Sequence, residues 1–247
     1  MRDLVRSEAR KAVAGRTWLI MLGVGVLLGL MTTAGYTTTV EQEVAAGLAP
    51  AAATASMVRF WFGMMLASML FGAVFVTREY GTGAIARSVL VSGGRGRLFT
   101  AKVLVGSIAG VGYGVLAAGL AVGSAWLFLP LAGQQLTWST EATLTLVGVT
   151  AVVALAGPWG VVFGWLLRNQ VLAVATLLVL TLLVDEALLR LVPAVGRFTM
   201  QIAMGAVYRD AKPEMLSPTM GLLVILGWIA LVGAVALRRL RRSDVLS

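Results

Sequence analysis

Residues 17–40 include no charged side chain, and most of them are apolar. About 20 helical residues cross the roughly 30 Å of bilayer hydrocarbon, so this run is long enough to span a membrane. Five more such runs follow, at 60–77, 103–129, 142–167, 171–184 and 217–237; the fifth is the shortest. None shows the alternation of barrel strands, and helices are then the only spanning structure that satisfies its own backbone. The expected fold is an all-α membrane protein with six transmembrane helices occupying residues 17–237.

Composition supports the same class. The chain of 247 residues is 59% hydrophobic and only 13% charged, too little polar surface to cover a soluble domain of this size. It has no cysteine, which excludes disulfides and thiolate metal sites. It has no histidine, which removes the usual general base and the commonest metal ligand. There is no Gly-x-x-x-x-Gly-Lys-Ser/Thr phosphate loop, no His-Glu-x-x-His and no carboxylate pair within a span. No catalytic or metal site is expected in this chain.

The charges set the orientation. Residues 1–16 carry Arg2, Arg6, Arg10, Lys11 and Arg16 against Asp3 and Glu8, with Leu4, Val5, Ala9, Ala12 and Val13 near one face at helical spacing. This reads as an amphipathic helix lying in the headgroup layer, its cations toward anionic lipid. A signal-peptide n-region is also basic, but here five further apolar runs follow the first. The 78–102 segment adds Arg78, Arg87, Arg95, Arg97 and Lys102; the turn after span four adds Arg168; the 238–247 tail adds Arg238, Arg239, Arg241 and Arg242. The opposite side has only Arg59, Arg190, Arg197, Arg209 and Lys212. The positive-inside bias places both termini and the 78–102 hairpin in the cytoplasm of a multi-pass plasma-membrane protein. The net charge of +9 is then membrane topology and not a nucleic-acid footprint.

Of the outer segments, 41–56 is acidic and alanine-rich and 131–141 is short. The third, 185–218, mixes four acids with four bases yet keeps an apolar stretch at 198–207, so short helices at or dipping into the outer membrane surface are expected. Small residues four apart (Gly106, Gly110 and Gly114; Gly119 and Gly123; Gly25 and Gly29; Gly160 and Gly164) permit close helix approach. Packing within one bundle and dimerisation are both consistent with them. Met57, Met64, Met65 and Met69, with Phe60, Trp61 and Phe62, make span two soft and aromatic. Met64, Met65 and Met69, with the acidic Asp185 and Glu186, are candidates for a substrate path. Ordinary packing is the competing explanation.

The 78–102 hairpin is the specific signal. It turns charged at Arg78 and Glu79, loosens at Gly81 and Gly83, and then places Ile85, Val89 and Leu90 around Arg87 before the turn at 93–97. Topology accounts for the arginines but not for an apolar patch outside the membrane. Such a patch fits a groove in another protein, with Arg87 at its rim.

Four pieces resemble the membrane subunit of ABC-2-type ABC exporters, the permease family of antibiotic efflux and lantibiotic immunity. The opening Arg6-Ser7-Glu8-Ala9-Arg10-Lys11 with Gly15-Arg16-Thr17-Trp18 is similar to the family's basic first helix. Thr77-Arg78-Glu79-Tyr80-Gly81-Thr82-Gly83 resembles its most recognisable motif. Leu167-Arg168-Asn169-Gln170 with Asp185-Glu186, and Arg241-Arg242-Ser243-Asp244-Val245, are similar to its tight turn, the acidic end of span five and its tail. The resemblance implies a permease that moves a hydrophobic or amphipathic molecule outward. It implies a partner permease subunit, identical or different, and two ATP-binding subunits that hold ATP and Mg in trans. It also implies coupling through Arg78–Leu90 and short extracellular helices after span five. Two rival classes stay open: a non-transporting membrane scaffold or sensor, and a polytopic lipid-modifying enzyme, for which only Asp185 and Glu186 offer acid or base groups.

Overall fold

The computed structural model describes residues 1–212 and 214–242; the end of the tail motif, 243–247, lies outside them. Among the described residues six helical segments are long and apolar enough to cross a membrane. The chain runs α1 (Arg2–Ala14), α2 (Thr17–Thr37), α3 (Val40–Ala45), α4 (Pro50–Arg59), α5 (Met64–Gly81), α6 (Ala84–Ser92), α7 (Arg95–Leu131) and α8 (Thr140–Leu167). It continues through α9 (Gln170–Val179), α10 (Asp185–Leu191), α11 (Pro193–Gly196), α12 (Met200–Val207) and α13 (Pro218–Arg242). A π-helical turn at Leu180–Val184 joins α9 to α10 within one 22-residue span.

Two spans begin earlier than the apolar runs indicate. Pro50 occupies the first turn of α4, where its missing N–H costs nothing, and a short 3-10 stretch at Phe60–Gly63 carries the helix on into α5. The 41–56 segment, expected as an outer loop, is therefore mostly α3 and α4, and Arg59 sits inside the resulting 32-residue segment, 4.0 Å from Glu141. Likewise α7 starts at Arg95 rather than after Lys102, so the charged hairpin contributes its last eight residues to a helix.

The α4–α5 segment and α8 form the centre. Their most apolar windows are 78% and 67% buried, against 17–33% for the other four. Glycines make this possible. A Cβ on Gly160 would stand 1.9 Å from the Met69 carbonyl oxygen, and one on Gly72 would stand 2.3 Å from that of Gly157, so α5 and α8 touch backbone to backbone. Gly106, Gly110 and Gly114 do the same for α7 on α8, while Gly25 and Gly29 receive Met64 and Trp61 from the second span. These ridges are used within the bundle, as apolar helices in lipid require for close packing. Gly119 and Gly123 have nothing within 4 Å of an added Cβ.

Two ends of the bundle are distinct. At one, the start of α7 meets the end of α13, where Arg95 donates to the carbonyls of Leu240 and Arg241. The turn at the same end between α8 and α9 is tight. Arg168 is left-handed (φ 57°), and the Asn169 side chain accepts from the Leu172 N–H. At the other end α10–α12 fold over. α12 is buried rather than lying flat on a surface: a Cβ on Gly148 would meet the Val207 carbonyl at 2.3 Å, and one on Gly221 the Ala203 carbonyl at 2.6 Å.

Candidate functional site

Four ionised side chains meet where α1 crosses the hairpin. Glu8 and Lys11 lie one turn apart on the inward face of α1, Glu79 near the end of α5, and Lys102 in the third turn of α7. Lys102 donates to Glu8 at 2.7 Å and to Glu79 at 2.9 Å. Lys11 donates to Glu8, to Glu79 at 3.4 Å and to the Ser88 hydroxyl of α6 at 3.0 Å. The quartet is neutral. Its core is dry: Lys102 is 0% and Glu8 1% exposed, and the Phe75 ring stands 4.2 Å from the Lys102 ammonium. Charges so placed persist only when paired.

Burial works against the Lys11 charge, but the hydrogen bonds and field of Glu8 and Glu79 outweigh it and hold its pKa above the ordinary lysine value. Arg78 adds a second tie, donating to the backbone carbonyl of Lys11. Tyr80 packs edge-on against Trp165 at 5.9 Å, with the Arg168 guanidinium 5.8 Å from its ring. Four elements (α1, α5, α6 and α7) are thus fastened at one point.

The hairpin's backbone is specified by glycine. Gly83 (φ 69°) opens α6, and Gly93 (φ 71°) closes it in the left-handed conformation that favours glycine. Thr82 hydrogen-bonds back to the Arg78 carbonyl. Gly81 is still helical. Held in this way, α6 divides its apolar residues. Ile85 is buried at 2% exposure and faces the protein itself, not a partner, while Val89 is half-buried. Leu90 and Val91 are each 81% exposed, and Arg87 is exposed beside them. The outward patch is Leu90–Val91 rather than Ile85, Val89 and Leu90. A cavity of about 360 Å³ lies between this helix and α1, lined by Glu8, Lys11, Glu79, Arg87, Ser88 and Val91 among others.

The remaining candidates separate. Arg6 and Arg10 lie away from the quartet, Arg10 on the exposed side of α1. Met64, Met65 and Met69 are buried; the Met64 side chain lies against Gly25 of α2, and the Met69 backbone carbonyl against Gly160 of α8. Asp185 is buried and accepts from the Gln201 N–H at 2.9 Å, satisfying one of the free donors that begin α12. Glu186 pairs with Lys212 at 2.6 Å and with Arg190 at 3.2 Å. These residues are not brought to one place.

Lys102 and Ser88 were not among the sequence candidates. The available signal was sign: Glu8 and Glu79 are carboxylates within the cation-rich 1–16 and 78–102 segments, and each needs a partner there. A scan against protein-family models and a search of curated proteins find no match for this chain.

Proposed function

We propose that this chain is the permease subunit of an ABC-2-type exporter. It sits in the plasma membrane with both termini and α6 in the cytoplasm, and an ATP-binding subunit drives it in trans. The observation that carries the reading is the exposed Leu90–Val91 pair on a short helix that is itself locked to the bundle. An apolar patch on a floppy loop would transmit nothing. On α6, tied through Ser88, Lys11, Glu79 and Lys102 to α1, α5 and α7, a push from a docked protein reaches two spans and the interfacial helix together.

The cytoplasmic assignment rests on the cation bias. Asp185 and Glu186, the only residues that favoured a lipid-modifying enzyme, have structural partners, which supports the transport reading over that rival. The transported molecule is hydrophobic or amphipathic on the same resemblance, and a second permease copy or homologue completes the unit.

The test is affinity purification of the tagged full chain from its native membranes in mild detergent. The wild type is expected to bring down an ATP-binding protein. The double variant Leu90→Asp/Val91→Asp should reduce that recovery about 100-fold, because each buried aliphatic side chain contributes about 1.5 kcal/mol or more at a contact. An unchanged elution volume shows that the variant itself is intact. Purification without any ATP-binding protein, or equal recovery with the double variant, would contradict the proposal.

A further inference from the structure

The α1–α7 crossing carries two cavities on successive turns of the two helices. The first, about 770 Å³, is lined by Arg2, Asp3, Val5, Arg6 and Leu104, with Met1. The second, about 360 Å³, begins one turn further along both helices, at Ala9 on α1 and at Val105 and Ile108 on α7. It runs on past Val13 and Trp18 to Gly112, Tyr113 and Leu116, and its lining is almost wholly apolar. Positions 2, 6, 9 and 13 follow one face of α1 at helical spacing, opposite the position of Lys11. The two arginines head this face and form no ion pair among the described residues, whereas Lys11, on the inward side, is paired. Below them Leu104, Ile108 and Val13 are exposed. The Tyr113 hydroxyl is tied to the Trp18 carbonyl at 2.9 Å, which fixes the inner wall.

A groove with two free guanidinium groups against one carboxylate at its head, and hydrocarbon-lined for the next three turns, matches one kind of molecule in a bilayer. We propose that the α1–α7 groove is a binding site for a single anionic phospholipid. Arg2 and Arg6 take its phosphate, as guanidinium pairs do, and one acyl chain lies along Ile108, Gly112 and Leu116. This goes beyond an interfacial helix attracted to a charged surface, because the acyl chain has a shaped slot that contacts α1, α2 and α7 at once. The lipid would brace the outer side of α1, whose inner side holds the quartet. The inference does not depend on the identity of any ATP-binding partner.

The test measures lipids retained by the purified full chain, by native mass spectrometry after delipidation and exchange into mixed phosphatidylglycerol and phosphatidylcholine. The expected result is one retained phosphatidylglycerol, with a preference over phosphatidylcholine of about tenfold or more, since each arginine near an anionic headgroup favours it severalfold. Arg2→Gln/Arg6→Gln should abolish the preference. Gly112→Phe should abolish retention with the charges intact. An added Cβ at Gly112 meets nothing within 4 Å in the protein, so the helix accommodates the substitution and the ring occupies the slot. Leu116→Trp provides a second filling variant. Equal retention of both lipids would overturn the proposal. So would a loss confined to the arginine variant with both filling variants unaffected, because the cations would then only attract a charged surface. A dimer contact that covers Leu104 and Ile108 would also overturn it.

Discussion

Replacing Lys102 by methionine should destabilise the protein more than any other single change to a charge. The two carboxylates that it bridges, Glu8 and Glu79, stay buried at 1% and 6% exposure, and only Lys11 remains to neutralise both. Removing one partner from a buried ion pair typically costs about 3–5 kcal/mol, because the other charge is left without compensation. The expected outcome is loss of the folded, monodisperse species, or a fall in thermal midpoint large enough to make the protein unusable at growth temperature. The mechanism makes a second, less intuitive prediction. Adding Glu8→Gln and Glu79→Gln to Lys102→Met should recover most of the lost stability, since a neutral polar cluster no longer carries unpaired buried charge, and Lys11 is exposed enough to be hydrated. Thermal unfolding of the single and triple variants in the same detergent decides this. A triple variant weaker than the single would mean that the quartet is held by packing and not by charge balance.

Gly160→Leu should be nearly as damaging, for a reason that involves no charge. The Cβ alone would stand 1.9 Å from the Met69 carbonyl oxygen, 2.8 Å from its carbon and 3.0 Å from the Ala73 nitrogen. All three are backbone, so no rotamer change relieves the clash, and α5 and α8 must separate along their length. Overpacking where side chains can yield costs about 1–3 kcal/mol; here the upper end or more is expected, because contacts on both sides of the crossing are lost together. Gly119→Leu, on the open face of α7 with nothing within 4 Å, should change stability by less than about 1 kcal/mol. Equal effects at the two glycines, measured by thermal unfolding, would show that α5 and α8 do not approach as closely as described.

The six spans were legible because each contains a charge-free apolar run, and the bilayer demands a fixed length. Their ends were less so. Hydropathy stops at Arg59 and Lys102, whereas the helices run through both, since a tertiary neighbour can neutralise an intramembrane charge: Glu141 approaches Arg59, and Glu8 and Glu79 bind Lys102. The hairpin was found from its glycines and charges, but which of its apolar residues face outward was not. Ile85 and Leu90 are both aliphatic and differ only in which side of α6 meets α7, a matter of helix phase set by Gly83 and by the Ser88–Lys11 contact. Of the cations beside Glu79 in the hairpin or on the opening helix, Arg78, Arg6, Arg10 and Lys11, only Lys11 is among its observed partners, because Arg78 points to a backbone carbonyl and the nearer cation is Lys102. The methionines of span two read as a soft lining, yet Met64, Met65 and Met69 are buried, with the Met64 side chain against Gly25 of α2. Composition cannot distinguish a pathway from a packed seam.

The most direct measurement of the proposed coupling is Mg-ATP hydrolysis by the ATP-binding subunit expected to co-purify, in lipid nanodiscs, compared between the wild-type chain and Glu79→Gln. In this variant Lys102 keeps Glu8, and the surplus charge falls on Lys11, which reaches water; the bundle should fold and the Leu90–Val91 patch should still dock. What is lost is the charged link between the end of α5 and both lysines, each such hydrogen bond contributing about 1.5 kcal/mol or more. The account predicts unchanged recovery of the ATP-binding subunit and a hydrolysis rate changed about tenfold from the wild-type complex. An identical rate with equal recovery would contradict it, because the hairpin would then be an attachment point and not the coupling element.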